Sequence, residues 1–237
     1  MKRFEELAYS STELGELSLR RRLEPQRDDE PVYEIKLNDE FLMSSLFTVG
    51  ESKLAESGLA YLERDQLEVV VGGLGLGYTA VAALKHSRLR ELVVIELLAP
   101  IIDWHKRHLL PLGEALDNDQ RCRLIAGDFF ALAQGRDGFD HNAPGRLFDA
   151  VLLDIDHSPR QHLGDQPGAF YTVAGLSALR AHIKPGGLFG MWSNDPPDAP
   201  FVDEMERSFR TVEVEEIRFP NPYQDREATC TLYFGRT

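Results

Sequence analysis

A cluster of glycines after an apolar segment is the feature that most constrains the fold of this chain. Residues 67–71 read Leu-Glu-Val-Val-Val, and Gly72, Gly73, Gly75 and Gly77 follow within six positions. A helical pattern begins directly afterwards. A buried strand, a tight glycine turn and a helix N-terminus allow the backbone to approach a nucleotide closely. The alternative is a turn that only connects a strand to a helix, since glycine turns are common.

The spacing of the glycines distinguishes two classes of nucleotide. Gly73, Gly75 and Gly77 form a Gly-x-Gly-x-Gly pattern, whereas dinucleotide enzymes carry Gly-x-Gly-x-x-Gly. The pattern therefore favours an adenosyl cofactor. A dinucleotide-dependent oxidoreductase is a poor alternative.

The charge balance excludes one class of partner. The 237 residues include 26 basic and 39 acidic side chains, a net charge of −13. Sequence-independent nucleic-acid binding needs a basic surface, so we expect no nucleic-acid partner. An acidic surface is compatible with cationic substrates, although it often serves solubility alone. Cys122 and Cys230 lie in apolar segments and are expected to be reduced, as in a cytoplasmic protein. No apolar leader follows Met1. We therefore expect a cytoplasmic protein without a membrane partner.

The first 49 residues differ in pattern from the rest. Their short strand-like segments are divided by polar breaks, and Asn38-Asp39 is typical of a hairpin turn. We therefore predict a small antiparallel β-domain over residues 1–49. The segments are residues 4–9, 14–23, 32–37 and 40–47.

Strands and helices alternate in residues 50–237, which we predict to form the cofactor-binding catalytic domain. Such alternation predicts an α/β fold: a Rossmann-like, doubly wound, mostly parallel seven-stranded sheet with ligands at the carboxyl ends of its strands. The expected strands are residues 67–71, 92–96, 123–128, 148–154, 188–193, 212–219 and 229–234. The expected helices are residues 50–64, 78–85, 100–110, a short one from Phe129, 170–183 and 201–209, with residues 184–187 ending the fifth helix of this series.

Acidic residues follow the second and third strands of the predicted sheet. Glu96 lies 19 positions after Gly77, about where an acid binds ribose hydroxyls in nucleotide folds. Asp128 is placed to accept from an adenine amino group, with Phe129 and Phe130 available to pack against the ring. The alternative role for Asp128 is a helix N-cap.

Asp154, Asp156 and His157 follow the fourth strand, where the group being transferred should lie. The alternatives are solvated loop carboxylates and an ordinary loop histidine. The coincidence of suitable residues at four strand ends favours adenosyl binding over these separate explanations.

These motifs resemble a known family. GGLGLG, VVIE, RCRLIAGD, FDAVLLDID and IKPGG, between Leu67 and Ser193, resemble the spermidine synthase-like branch of the class I S-adenosylmethionine-dependent methyltransferase superfamily. The resemblance implies ribose binding by Glu96, adenine binding by Asp128 and a position for Asp154 at the reacting centre. The family's N-terminal β-domain often serves dimerisation, so a homodimer is an expectation.

The chain also departs from the aminopropyltransferases of that family. Leu76 stands where they carry an acid in the glycine loop, and His157 stands near their second loop aspartate. Residues 41–44 and 54–56 replace their Gln and Tyr-His-Glu. A diamine needs a carboxylate at each end, and decarboxylated S-adenosylmethionine needs an acid for its free amine. The sequence therefore ranks methyl transfer to a small molecule first, aminopropyl transfer to an amine second, and non-catalytic binding of an adenosyl ligand third.

Both transfers displace a sulfonium from carbon, so the protein must align the acceptor and deprotonate it. We expect Asp154 to position the acceptor and either Asp156 or His157 to take its proton, since histidine titrates near working pH. Residues 158–168 are expected to close over the site.

Residues 194–197 and Trp192, at the end of the fifth predicted strand, are expected to be structural. Residues 194–197 read Asn-Asp-Pro-Pro, a motif of amino-methyltransferases, but they follow the fifth strand and are expected to be a loop breaker. Trp192 is expected in the core, with the acceptor pocket as its alternative.

No metal site is expected. His105 and His108 lie near Trp104 on a predicted helix but lack a matching carboxylate pair. Asp154, Asp156 and His162 form a weaker magnesium candidate.

Overall fold

A computed structural model of the chain describes residues 3–38, 40–161, 167–221, 223 and 226–237. The N-terminal region is a four-stranded antiparallel sheet with the strand order β1-β2-β3-β4. Asn38, directly after β3, has a φ of 54°, as suits the predicted turn. Its Oδ1 accepts from the Glu16 amide at 3.0 Å. Asp39 lies outside the described residues. The strands are β1 (Phe4–Thr12), β2 (Gly15–Glu24), β3 (Glu30–Leu37) and β4 (Glu40–Ser44).

The second sheet has seven strands in the order β10-β11-β9-β8-β5-β6-β7. β5 to β9 run parallel, and β11 and β10 extend the sheet antiparallel beyond β9. This confirms the predicted doubly wound α/β fold. The strands are β5 (Leu67–Gly72), β6 (Leu89–Glu96), β7 (Cys122–Ala126), β8 (Phe148–Leu153), β9 (Ile183–Ser193), β10 (Thr211–Asn221) and β11 (Arg226–Arg236).

In the part of the chain that the structure describes, seven helices cover the two faces of the large sheet. β5 and β8 are buried along their whole length, which explains their continuous apolar runs. The helices are α1 (Val49–Ala60), α2 (Tyr78–Leu84), α3 (Ala99–Lys106), α4 (Gly113–Asp117), α5 (Phe129–Gln134), α6 (Val173–Arg180) and α7 (Ala199–Ser208).

The core divides into two clusters, one on each face of the large sheet. One cluster includes Leu54 of α1 together with Leu17 and Ile35 of the N-terminal sheet. The other is rich in aromatic residues, among them Phe129 of α5, Phe189 of β9 and Phe201 of α7. Because the small sheet shares a core cluster with α1, the domain boundary at residue 49 stays a prediction.

The structure corrects the expectation that residues 184–187 end a helix. They belong to β9, and α6 ends earlier, at Arg180. The pairing of β8 with β9 jumps from Phe148–Ile183 to Ala150–Leu188, which indicates a bulge. Lys184 holds this segment in the sheet, since its Nζ lies 2.7 Å from Glu68 Oε2 and 2.8 Å from Asp149 Oδ2.

Two smaller differences concern helices. The first predicted helix ends at Ala60 rather than Arg64, and the short helix α4 was not predicted at all. α4 has only five residues, too few for a periodic pattern to be recognised. None of the described helices is long and apolar enough to cross a membrane.

Candidate active site

The glycine loop between β5 and α2 has a backbone that few side chains tolerate. Gly73 has a φ of 92° and Gly75 a φ of 46°, in the left-handed region. A Cβ at Gly73 would lie 2.1 Å from the backbone oxygen of Asp154. The loop therefore packs directly on the end of β8, where the sequence analysis expects the reacting group.

Glu96, at the end of β6, binds the backbone amides of this loop. Its Oε2 accepts from the amides of Leu74 at 2.9 Å and Gly75 at 3.4 Å, and its Oε1 accepts from Leu98 at 2.8 Å. Burial raises the pKa of Glu96, and these backbone donors oppose the rise. The Leu97 amide is a fourth backbone donor, so the roughly four acceptor positions of this carboxylate are largely used within the protein. The assignment of Glu96 to ribose stays a prediction.

His105 of α3 contacts the backbone of the same glycine loop. Its Nε2 lies 2.9 Å from the Gly75 oxygen, and the residue is 1% exposed. Burial lowers the pKa of His105 to about 4, so the ring is neutral and its Nε2–H donates. His108 instead contacts Asp117. Among the described residues, no group of three His, Cys, Asp or Glu could hold a metal ion.

Met43 of β4 joins the N-terminal sheet to the glycine loop. Its sulfur accepts from the Leu76 amide at 2.7 Å and covers Gly75. Leu76, at the position where the family carries an acid, is fully buried in the core.

Asp128 caps helix α5, as the alternative interpretation expects. Its Oδ1 accepts from the amides of Phe130 at 2.9 Å and Ala131 at 3.2 Å, and the residue is exposed. Phe129 is only 2% exposed, with its ring stacked on Phe139 in the core, whereas Phe130 is half-buried. Adenine binding by Asp128 and Phe129 stays a prediction.

Asp154 lies at the end of β8 beside the glycine loop. Its Oδ2 accepts from the Thr79 hydroxyl at 2.6 Å, and the same Thr79 oxygen lies 3.1 Å from the backbone oxygen of Glu51. Burial raises the pKa of Asp154 to about 6, and the Thr79 hydrogen bond opposes the rise. The carboxylate is therefore held in a poorly solvated position.

Glu51 is the site residue that the sequence analysis missed. It lies in the first turn of α1 and is 8% exposed. Burial, and next the negative charge of Asp154, raises the pKa of Glu51 to about 8. The available signal was an acid just ahead of residues 54–56, the stretch that the resemblance singled out.

Asp156 and His157, the two candidate bases, have contacts elsewhere, and their role as bases stays a prediction. Asp156 is 1% exposed and accepts from the Tyr171 hydroxyl at 2.5 Å. His157 is half-buried, and its backbone oxygen accepts from the Asn194 amide at 2.7 Å. His162 lies outside the described residues, as does the rest of the segment 162–166 within the loop expected to close, so this closure stays a prediction.

A cavity of about 170 Å³ opens beside Glu51. It lies between α1, the end of β9 and the β10–β11 hairpin, and the half-buried Trp192 lines it. A role for Trp192 in an acceptor pocket stays a prediction. The lining residues are Phe47, Gly50, Glu51, Trp192, Asn194, Phe219, Asn221, Ala228, Thr229 and Cys230.

No family model matches the chain. The chain is 26% identical over 155 residues to Polyamine aminopropyltransferase 2 of Pseudomonas aeruginosa, covering 61% of this chain and 40% of that protein. It is 25% identical over 112 residues to the polyamine aminopropyltransferase of Pyrobaculum neutrophilum, covering 46% of this chain and 37% of that protein. The chain thus spans about two fifths of the length of the curated relatives it matches.

Solved spermidine synthases share the fold. One in complex with the transition state analogue AdoDATO aligns with a TM-score of 0.71 at 15% identity, over 98% of this chain and 73% of that one. The enzyme from Thermotoga maritima aligns with a TM-score of 0.69 at 14% identity, over 98% and 72%.

These matches confirm the resemblance to the spermidine synthase-like branch of the S-adenosylmethionine-dependent superfamily. The named relatives are aminopropyltransferases, so the comparisons favour the alternative of the sequence analysis over methyl transfer, which it ranked first.

Proposed function

We propose that this chain transfers an aminopropyl group from decarboxylated S-adenosylmethionine to an amine. The observation that carries the proposal is the pair of carboxyl groups beside the glycine loop, the buried Glu51 and the half-buried Asp154, in both of which burial raises the pKa. From the sequence alone this reaction ranks second, because Leu76 stands in place of an acid. Glu51 supplies a second carboxyl group from a different element.

The glycine loop fits an adenosyl donor. Side chains at Gly73 or Gly75 would clash with the Asp154 backbone and the Met43 sulfur, so only glycine allows this loop its close packing beside Asp154. A similar solved spermidine synthase binds AdoDATO, which supports the same class of ligand. When bound, the donor supplies a sulfonium-activated carbon: the amine nitrogen forms the C–N bond, the C–S bond breaks, and methylthioadenosine leaves with the sulfur electron pair.

Asp154 would bind the free ammonium group of the aminopropyl chain. A carboxylate that is buried beside the loop gains most from a cationic partner, because burial without one disfavours its charge. Its hydrogen bond to Thr79 holds the oxygen in place.

Glu51 would accept the proton that the acceptor nitrogen loses. A base is most effective when its pKa lies near the working pH, and burial brings the pKa of Glu51 to about 8. This assignment replaces Asp156, whose carboxylate binds Tyr171, and His157 as the base. Glu51 also lines the cavity beside it, which we assign to the acceptor.

Methyl transfer from S-adenosylmethionine is the second candidate. One observation favours it: the glycine loop carries the buried Leu76 where an acid for the aminopropyl amine is expected. The two reactions differ in the donor, because the methyl donor keeps a carboxylate beside its amine. Electrostatic repulsion between that carboxylate and the carboxyl groups of Asp154 and Glu51 would disfavour binding of the methyl donor.

Calorimetry with S-adenosylmethionine, its decarboxylated form and methylthioadenosine tests the proposal. We expect the decarboxylated form to bind at least about tenfold more tightly than S-adenosylmethionine, since a charged hydrogen bond contributes about 1.5–3 kcal/mol. Asp154→Asn should abolish this preference, and Asp103→Asn, at an exposed position on α3, should leave it unchanged. Preference for S-adenosylmethionine would favour methyl transfer, and binding of none of the three would contradict an adenosyl site.

A further inference from the structure

The cavity beside Glu51 restricts the class of acceptor, provided that the proposed amine transfer holds. Its volume of about 170 Å³ is close to that of an engineered cavity of about 150 Å³ that binds benzene. An occupant of about that size, a phenyl ring or a chain of about six carbon atoms, would fill it.

The walls of this cavity are mainly apolar. Phe47 and Phe219 form one side, with ring centroids 5.7 Å apart, and Trp192 contributes a third aromatic ring. Ala228 and Cys230 add small apolar surfaces. Such walls stabilise a hydrocarbon by about 25 cal/mol per Å² of buried apolar area.

Charge occurs at one place on the wall. Among the described lining residues, Glu51 is the sole ionisable acid or base other than the Cys230 thiol, whose pKa burial raises to about 11. Asn194, Asn221 and Thr229 are polar but neutral. A second ammonium group would therefore lose its hydration without gaining a carboxylate, which is unfavourable.

We propose that the acceptor is a primary amine with a single amino group, placed at Glu51, and an apolar tail packed against Phe47, Phe219 and Trp192. The amine approaches Glu51 with its nitrogen toward the end of β8, and the tail points to the β10–β11 hairpin. The acceptor thus differs from a diamine such as 1,4-diaminobutane, for which the cavity would need carboxylates at both ends.

Direct binding of three probes tests this inference separately from turnover. Calorimetry would compare 2-phenylethylamine, n-hexylamine and 1,4-diaminobutane, each with and without methylthioadenosine. We expect both monoamines to bind the wild-type protein at least about tenfold more tightly than the diamine, because the second ammonium is desolvated without a partner. Tighter binding of the diamine, or binding of none of the amines, would overturn the inference.

Two variants sharpen the comparison. Asn221→Asp places a carboxylate on the cavity wall and keeps the oxygen that accepts from the Tyr223 amide, so the preference should shift at least about tenfold toward the diamine. Phe219→Ala should weaken binding of 2-phenylethylamine and leave binding of methylthioadenosine unchanged. Val214→Ala is the matched control, because Val214 is an exposed residue of the same strand outside the cavity. An unchanged ranking in Asn221→Asp would contradict the charge argument.

Mass spectrometry of the products separates this inference from the proposed function. If the monoamines bind but gain no aminopropyl group from the decarboxylated donor, the proposed function fails while the cavity assignment stands. If 1,4-diaminobutane is aminopropylated faster than 2-phenylethylamine, the proposed function stands and the acceptor inference fails.

Discussion

Thr79 donates its hydroxyl hydrogen to Asp154, with 2.6 Å between Oγ1 and Oδ2. This bond joins the first turn of α2, directly after the glycine loop, to the end of β8. The same Thr79 oxygen lies 3.1 Å from the backbone oxygen of Glu51, so the hydroxyl also contacts the first turn of α1, which carries Glu51. The loop and the two acids are therefore parts of one connected arrangement.

Replacing Thr79 by valine should raise the pKa of Asp154 further above about 6, because the hydroxyl favours the charged carboxylate. The variant keeps the shape of the side chain but leaves a buried acceptor without its donor. We expect a loss of about 1–3 kcal/mol in the free energy of unfolding at pH 8. Urea denaturation measures the loss, and Thr79→Ser, which keeps the hydroxyl, should lose less. Equal losses in the two variants would contradict a role for the hydroxyl.

The buried carboxyl group of Glu51 should make stability fall with rising pH. Its pKa is about 8 in the folded protein against 4.5 ordinarily, so between these pH values the folded state binds more protons than the unfolded state. Stability is therefore lost as pH rises from about 4.5 through 8. Glu51→Gln should raise the melting temperature at pH 8.5 relative to wild type, and change it little at pH 4.5. Glu56→Gln, at an exposed position on the same helix, is the control and should show no such pH dependence.

Because of the buried His105, the protein should lose stability as the pH becomes acidic. Its pKa is lowered by burial to about 4 against 6.5 ordinarily, so the unfolded state binds more protons between these values. Stability is lost as pH falls below about 6.5. His105→Phe keeps a ring but removes the donor to Gly75, so it should abolish this pH dependence and weaken methylthioadenosine binding about tenfold.

The partially exposed His108 provides the comparison for His105. It contacts Asp117 at 3.2 Å on the surface, where an ion pair contributes about 0–1 kcal/mol. His108→Ala should bind methylthioadenosine as the wild-type protein does. If both variants lost affinity equally, the loop contact of His105 would not explain its effect.

The sequence was sufficient for the fold because its strongest patterns are local. A glycine turn after a buried strand, followed by alternating strands and helices, predicts the parallel sheet and the positions of Glu96 and Asp154 at its carboxyl edge. The β9 bulge was missed because the hydrogen bonds of Lys184 to Glu68 and Asp149 connect residues far apart in the sequence.

The candidate site was harder to predict, because the packing of α1 and the face of the sheet on which each side chain lies determine which acids come together. Glu51 looks like any acid in the first turn of a helix, and only the packing of α1 brings it to Asp154. Asp156 follows Asp154 by two positions, yet its carboxylate binds Tyr171 among the aromatic residues on the other face of the sheet.

Gly73 should tolerate no side chain. A Cβ there would lie 2.1 Å from the backbone oxygen of Asp154, and the φ of 92° is itself unfavourable for alanine. Gly73→Ala should destabilise the protein by several kcal/mol and abolish binding of methylthioadenosine. Gly145→Ala is the matched control: its φ is 75°, and an added methyl group would meet no atom of another part of the chain within 4 Å, so it should cost only about 1 kcal/mol. Similar losses in both variants would show that backbone strain, not the contact with Asp154, sets the effect.

The release of methylthioadenosine from decarboxylated S-adenosylmethionine in the presence of an amine tests the central claim most directly. We expect wild-type kcat/KM to rise with pH up to about 8, as Glu51 ionises. Glu51→Gln should lower kcat/KM by at least about 100-fold, the typical contribution of a general base, while Glu56→Gln stays at the wild-type rate. Full activity of Glu51→Gln, or methyl transfer from S-adenosylmethionine in place of aminopropyl transfer, would contradict the proposed function.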